Sequence, residues 1–181
     1  MAVRIEVFDP GLHDTKDFRC GSDSQDNFLR RSAKRQQRDG YTRLYVATDA
    51  AQVDEPRACL GFYAINAHAI GVADVPSDAA PRAPRSNLIP GVFLSHLAVD
   101  GRQHGKGLGR ILLVDAMQQC QRAGQILGVR LMVLDVVGAA GEVERARLHS
   151  FYASMGFRSL PGRPERLFLS LSALPPLQSG G

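Results

Sequence analysis

The residues best suited to chemistry lie in one short run, Val99-Asp100-Gly101-Arg102-Gln103-His104-Gly105-Lys106-Gly107-Leu108-Gly109-Arg110. The run falls between an apolar stretch with strand character, Val92–Val99, and an amphipathic pattern that opens at Leu108. At a strand-to-helix junction several backbone N–H groups lack an intrahelical acceptor and the helix dipole is positive, so an anion is favoured there. Glycine lets the main chain approach that anion, and Arg102, Lys106 and Arg110 add positive charge. A P-loop needs GxxxxGK[ST], and no Ser or Thr follows Lys106. A dinucleotide turn needs GxGxxG after the first strand, whereas Gly105, Gly107 and Gly109 give GxGxG followed by Arg110. The run spells Arg-x-x-Gly-x-Gly instead. Such turns also join strands to helices with no ligand, but three glycines beside three bases favour a phosphate.

Other reactive side chains form no comparable set. His13, His68, His104 and His149 lack ligand spacing, so no metal is expected. Ser95-His96 is not set in a GxSxG elbow, which argues against a serine hydrolase. Cys20, Cys59 and Cys120 are odd in number and far apart, a pattern of reducing compartments rather than of disulfide scaffolds. Cys120 falls on the apolar side of its helix and reads as core. Arg30, Arg31, Lys34, Arg35 and Arg38 follow one another without an intervening acid. They read either as a solvated helix face or as a platform for an RNA backbone, bound in a salt-dependent way.

These groups must be held by 181 residues, enough for one domain with its own core. Apolar residues make up 44% and charged residues 22%, which excludes disordered, collagen-like and coiled-coil chains. The net charge is +4, and 19 of the 22 bases are Arg, a residue suited to phosphate; an arginine-rich coding bias gives the same count. Arg4, Glu6 and Asp9 interrupt any signal core and no apolar run reaches a membrane span, so a soluble cytoplasmic protein is expected.

Alternation predicts a strand over Val3–Phe8, and helical spacing predicts a helix from Ser24 to Arg38 with Phe28, Leu29 and Ala33 inward. Thr42–Thr48 and Ala58–Asn66 read as an antiparallel pair, Gly71–Pro90 as proline-rich loop and Val92–Val99 as a central strand. A helix from Leu108 to Gly124 leads to a buried strand, Val129–Val137, in which Asp135 marks the exit to solvent. After Gly138–Gly141 comes a helix from Glu142 to Met155, closed by Gly156. Phe157–Leu160 and Arg166–Leu171 form the last strands around the turn Pro161–Pro164, and the tail Pro175–Gly181 is expected to be disordered.

The segment LAVDGRQHGKGLGRILL, residues 97–113, resembles motif A of the GNAT N-acetyltransferases, whose RxxGxG/A turn binds the pyrophosphate of acetyl-CoA. His149–Phe157, HSFYASMGF, resembles the same family's FYxxxGF signature, and the two occur in the family's order. Phe18-Arg19-Cys20-Gly21, Phe28-Leu29, Gly61-Phe62-Tyr63 and Pro84-Arg85 with Ile89-Pro90 are similar to the GNAT branch that acts as toxins in toxin–antitoxin pairs. With these pieces the likeness spans most of residues 4–171. It implies a mixed α/β GNAT fold over residues 1–174, with a tail at 175–181. The fold would have a central, mixed, mostly antiparallel twisted sheet of six to seven strands, splayed at its central strands and flanked by about four helices.

The resemblance also implies roles. The main chain at Leu97, Ala98 and Val99 would hold the pantetheine arm and the acetyl oxygen. The turn of Arg102, Gln103, His104, Gly105, Lys106, Gly107, Leu108, Gly109 and Arg110 would hold the diphosphate. Tyr152 matches the tyrosine that gives a proton to the departing CoA thiolate, a role suited to a phenol of pKa about 10; its other reading is a helix tyrosine packed on the core. His96 stands where the toxins commonly carry Arg. With a pKa near about 6.5 it would serve as a base, directly or through water, or else rest in its strand against a neighbouring carbonyl. That departure bears on the acceptor rather than on acetyl transfer.

The function implied is an acetyl-CoA-dependent N-acetyltransferase with no metal, a toxin that acetylates the α-amine of aminoacyl-tRNA by direct attack on the thioester. A ribbon-helix-helix antitoxin is its implied partner, and a homodimer is a further expectation. Two alternatives stand beside it: a GNAT enzyme acting on a small amine or a protein N-terminus, and a CoA-binding or antitoxin-complexed module without turnover.

Overall fold

The computed structural model describes residues 2–82, 85–136 and 141–177. Pro84, Val137, the turn positions 138–140 and the tail positions 178–181 lie outside the described residues. In chain order the strands are β1 (Val3–Val7), β2 (His13–Asp14), β3 (Arg43–Asp49), β4 (Arg57–Ala58), β5 (Gly61–Gly71), β6 (Leu88–Val99), β7 (Leu131–Asp135), β8 (Arg158–Leu160) and β9 (Arg163–Ser170). The helices are α1 (Asp23–Asn27), α2 (Ala33–Arg38), α3 (Leu108–Ile126) and α4 (Glu142–Ser154). The fold is mixed α and β, with one seven-stranded, mostly antiparallel sheet in the order β1-β3-β5-β6-β7-β9-β8. The chain divides into two compact units, Met1–Asn66 with Ser95–Ala116, and Ala67–Leu94 with Met117–Gly181.

In the first unit β3 runs antiparallel to β1 and to β5, with Ile5 opposite Ala47 and Tyr45 opposite Tyr63. Strand alternation sends Leu44 and Val46 into a core with Phe8, Phe18, Phe28, Leu29, Ala33, Phe62 and Ala98. α1 and α2 are continuous through a π-helical turn at Phe28–Ser32, where the Ala33 N–H reaches back five positions to the Phe28 carbonyl. That wider turn brings Phe28 and Ala33 to one face, the inward set expected from the sequence. A Cβ on Gly61 would lie 2.8 Å from Leu112 Cδ1 and 3.1 Å from the Ala98 carbonyl oxygen. Glycine is therefore what lets α3 approach the sheet.

In the second unit Gly91–Leu94 of β6 pair in parallel with Leu131–Leu134 of β7, and β9 runs antiparallel to β7 and β8. Ile70, Val75, Ile89, Leu131, Val133, Leu160 and Phe168 form its core. β6 begins at Leu88, inside the stretch expected to be loop. It tolerates Pro90 because that residue's carbonyl accepts the Arg130 N–H at 2.9 Å while no donor is asked of it. Gly124 continues α3 instead of ending it; there a Cβ would approach the Val129 carbonyl to 3.4 Å. Asp135 does not simply exit to solvent but takes a two-pronged contact from Arg166, at 2.6 and 2.7 Å.

Candidate active site

The turn between β6 and α3 is organised by Asp100, a carboxylate only 1% exposed. Its oxygens accept the Arg102 N–H at 3.0 Å, the Arg19 N–H at 3.1 Å, and the Arg102 guanidinium at 2.7 and 3.0 Å. Burial alone would raise its pKa, but these hydrogen bonds outweigh it and hold the group below the ordinary carboxylate value. Gly105 and Gly107 adopt φ of 75° and 82°, a backbone that side chains disfavour. Among the described residues the amides of Gly105, Gly107, Leu108 and Gly109 donate to no acceptor, whereas those of Arg110 and Ile111 bond to the Gly107 carbonyl. Four free N–H groups at the positive end of a 19-residue helix make a seat for an anion.

The three cations of the turn are not equivalent. Arg102 is engaged with Asp100. Lys106 Nζ donates to the Arg102 carbonyl at 2.7 Å and to Gln103 Oε1 at 3.2 Å. Arg110 is exposed and has no side-chain partner among the described residues. His104 Nε2 lies 2.8 Å from the Val99 carbonyl oxygen, which ties the turn to the end of β6. Leu97 and Val99 are half-buried and Ala98 is buried in the first core. Asp100 is the organising residue that sequence reasoning missed; its place beside Arg102 was visible, but Arg19 lies 81 positions away.

His96, on β6, is stacked on Phe28 with ring centroids 3.5 Å apart and an 11° interplanar angle. Its Nδ1 meets Ser95 Oγ at 3.2 Å. Burial lowers its pKa to about 4, because a low-dielectric surrounding disfavours the imidazolium. The ring is therefore neutral under ordinary conditions and its Nε2 has no partner among the described residues.

Tyr152 lies near the C-terminal end of α4, 9% exposed, edge-on to Phe151 and Phe157 at 5.1 and 5.8 Å. The helix ends as Gly156 turns left-handed, φ 91°, and the Phe157 N–H closes on the Tyr152 carbonyl at 3.2 Å. That closure explains the spacing of Tyr, Gly and Phe in the signature. The Tyr152 hydroxyl has no hydrogen-bond partner among the described residues, and burial pushes its pKa up to about 12. It is held as a proton-bearing phenol. The thiols offer no competing nucleophile, since burial raises Cys20 to about 11 and both Cys59 and Cys120 to about 12.

Of the five helix bases, Arg30 is drawn to Asp26, its Nε donating to that residue's carbonyl at 3.1 Å, and Arg38 pairs with Asp39 at 2.9 Å. Arg31, Lys34 and Arg35 are exposed and carry no side-chain partner among the described residues. Among the described residues no group of His, Cys, Asp or Glu is placed to hold a metal, and no helix is long and apolar enough to cross a membrane.

No protein-family model matches the sequence. Individual proteins do. The chain is 34% identical over 170 residues to a probable toxin TacT of Sinorhizobium fredii, covering 94% of this chain and 92% of that protein. It is 32% identical over 156 residues to a tRNA-acetylating toxin of Mycobacterium tuberculosis, covering 86% and 85%. The chain belongs to the TacT-like toxin family. Solved structures agree with this TacT-like assignment. AtaT in complex with acetyl-methionyl-tRNA superposes with a TM-score of 0.81 at 27% identity, over 95% of this chain and 96% of that one. A tyrosine-to-phenylalanine mutant of the AtaT toxin, bound to the C-terminus of the antitoxin AtaR and to acetyl-CoA, gives 0.75 at 25% identity, over 94% of each.

Proposed function

We propose that this chain is an acetyl-CoA-dependent N-acetyltransferase of the cytoplasm that acetylates the α-amine of aminoacyl-tRNA and is neutralised by an antitoxin. Residues 1–174 act together as one acetyltransferase domain. The observation that carries the reading is the set of four unpartnered amides at the start of α3, in a chain related over 94% of its length to a probable toxin TacT and over 86% to a tRNA-acetylating toxin. The related AtaT is known with acetyl-CoA, with acetyl-methionyl-tRNA and with an antitoxin segment.

The turn from Arg102 to Arg110 fits the diphosphate of acetyl-CoA. Its open amides supply the hydrogen bonds and Arg110 the unpaired charge, while Arg102 stays with Asp100. Leu97, Ala98 and Val99 hold the pantetheine arm and present main-chain N–H to the acetyl oxygen, a contribution of about 3–4 kcal/mol where it is aimed at developing negative charge. The bound coenzyme supplies an acetyl thioester, which passes its acetyl to an amine and leaves as a thiolate. Tyr152 donates the proton that the thiolate takes up, and the proton that the nitrogen loses on acylation returns through solvent to the phenol. An α-amino group titrates near about 8, so a fraction is already neutral at physiological pH and no strong base is required. His96, neutral and with a free Nε2, accepts a hydrogen bond from that amine and orients it. Arg31, Lys34 and Arg35 neutralise RNA phosphates, which favours a tRNA-borne amine over a free one.

The test is transfer of labelled acetyl from acetyl-CoA to charged tRNA by the purified protein, with free amines in parallel. Labelled acetyl-aminoacyl-tRNA is the expected product. Transfer only to free amines or protein N-termini would move the chain to another acceptor class, and coenzyme binding without any turnover would make it a binding module.

A further inference from the structure

The segment Phe18-Arg19-Cys20-Gly21 has no part in the mechanism above, yet it is bound at both ends by buried carboxylates. Toward the phosphate turn, the Arg19 N–H donates to Asp100 Oδ2 at 3.1 Å and the Gly101 N–H donates to the Arg19 carbonyl at 2.7 Å. The two contacts form a closed pair between one peptide and the first residues of the turn. The next amide, that of Cys20, donates to Asp26 Oδ1 at 2.9 Å. Asp26, 4% exposed, belongs to α1, which continues through the π turn bearing Arg31 into α2, which bears Lys34 and Arg35. The segment is also anchored sideways. Phe18 is 2% exposed and packs edge-on to Phe62 at 5.4 Å, and Gly21 takes φ 92° to lead the chain into α1.

We propose that the Arg19–Cys20 dipeptide couples coenzyme binding to RNA binding, with Asp100 and Asp26 as positioning residues at its two ends. The proposal rests on reading the turn as the coenzyme seat and the helix as the RNA platform. A diphosphate on the amides of Gly105, Gly107, Leu108 and Gly109 restrains the turn that begins at Asp100. Through the closed pair this restrains Arg19, and through the Cys20 amide it restrains Asp26 and the start of α1. An RNA that needs Arg31, Lys34 and Arg35 in fixed places then loses less conformational freedom on docking. Linkage makes the effect reciprocal: RNA on the helix must tighten the coenzyme by the same factor.

The experiment uses the full chain, with coenzyme A as a non-reacting probe and charged tRNA as the second ligand. The Kd of coenzyme A is measured by calorimetry with and without saturating charged tRNA. The Kd of the tRNA is measured by filter binding with and without saturating coenzyme A. Each ligand is expected to tighten the other about fivefold or more, by equal factors, within the range usual for coupled sites. Asp26→Ala, which removes the acceptor for the Cys20 amide, should bring both factors to about one, and Asp26→Asn, which keeps an acceptor oxygen, should restore part of the effect. Thermal denaturation of each variant identifies any that fail to fold, and the wild-type comparison needs no variant. Two ligands that bind without affecting one another overturn the coupling and leave the function standing. Full coupling in a folded Asp26→Ala overturns this route. Failure of either ligand to bind the wild type overturns the function itself.

Discussion

The Tyr152 ring packs in the core while its hydroxyl bonds to no described residue, so removing that oxygen breaks no hydrogen bond within the protein. Tyr152→Phe should therefore leave Tm unchanged or slightly raised and coenzyme A affinity within about twofold, while kcat falls about 100-fold or more, the usual worth of a general acid. Steady-state kinetics beside calorimetry check this, and a parallel loss of affinity would reassign the residue to binding. His96 makes a pH prediction of opposite character. Its folded pKa of about 4 lies below the ordinary 6.5, so the unfolded chain binds more protons between those values. Its contribution to stability is complete above pH 6.5 and is lost as pH falls toward 4. Tm should drop across that window, and a folded His96→Asn should drop less. The kcat/KM profile should show no inflection near 6.5 and should rise with the free amine toward about 8. At this scale the place of Tyr152 at the end of its helix was legible, because its neighbours Gly156 and Phe157 are local. Asp100 was not, since a buried carboxylate takes its meaning from Arg19, which only the fold brings near. Arg102 lies only two positions from Asp100, yet the pairing of its guanidinium with that carboxylate is shown by the fold and not by the spacing.

Elements with long, regular spacing were legible and short or interrupted ones were not. α3 follows its apolar period, α4 is bounded by Gly141 before it and Gly156 after it, and the positive φ of Gly105 and Gly107 accords with a glycine-rich turn. β2 and β4, two residues each, show no alternation to read, and Pro90 concealed the start of β6. The π turn was hidden as well, although the five-residue step from Phe28 to Ala33 is its trace. The turn itself makes an element-scale prediction. A Cβ at Gly107 meets nothing within 4 Å, so the main cost of Gly107→Val is the left-handed backbone, at least about 1–2 kcal/mol, and the fold should survive with a lowered Tm. The new side chain would stand beside the open amides, so coenzyme A binding should weaken at least about tenfold, as loss of a few charge-assisted hydrogen bonds implies. Gly109→Ala is the contrast, with a Cβ in ordinary contact 3.7 Å from Val99 Cγ2 and no positive φ. Calorimetry and thermal denaturation of both variants decide it. Wild-type affinity in Gly107→Val would mean that the amides are not the anion seat.

For the whole molecule, two signatures in one chain were enough to place the family, because each records a backbone requirement that few other residues satisfy. The division into two compact units left no such mark, since β5, β6 and α3 each run from one unit into the other without a break in pattern. Net charge was legible as a number, +4, but not as a surface. The fold separates bases engaged with Asp26 and Asp39 from Arg31, Lys34 and Arg35, which stand free among the described residues. Those three carry a prediction about the acceptor. Each cation that neutralises an RNA phosphate releases counterions and adds about 0.7–0.9 to the slope of log K against log salt. The triple change Arg31→Gln, Lys34→Gln and Arg35→Gln should therefore weaken charged tRNA binding at low salt and flatten its salt dependence by about 2–3 in slope. Filter binding across a salt series measures both, with coenzyme A calorimetry as a control for folding. Arg30→Gln and Arg38→Gln, which remove bases already paired within the protein, should flatten the slope less than the triple change. An unchanged slope in the triple variant would return this helix face to solvent and place the RNA contact elsewhere.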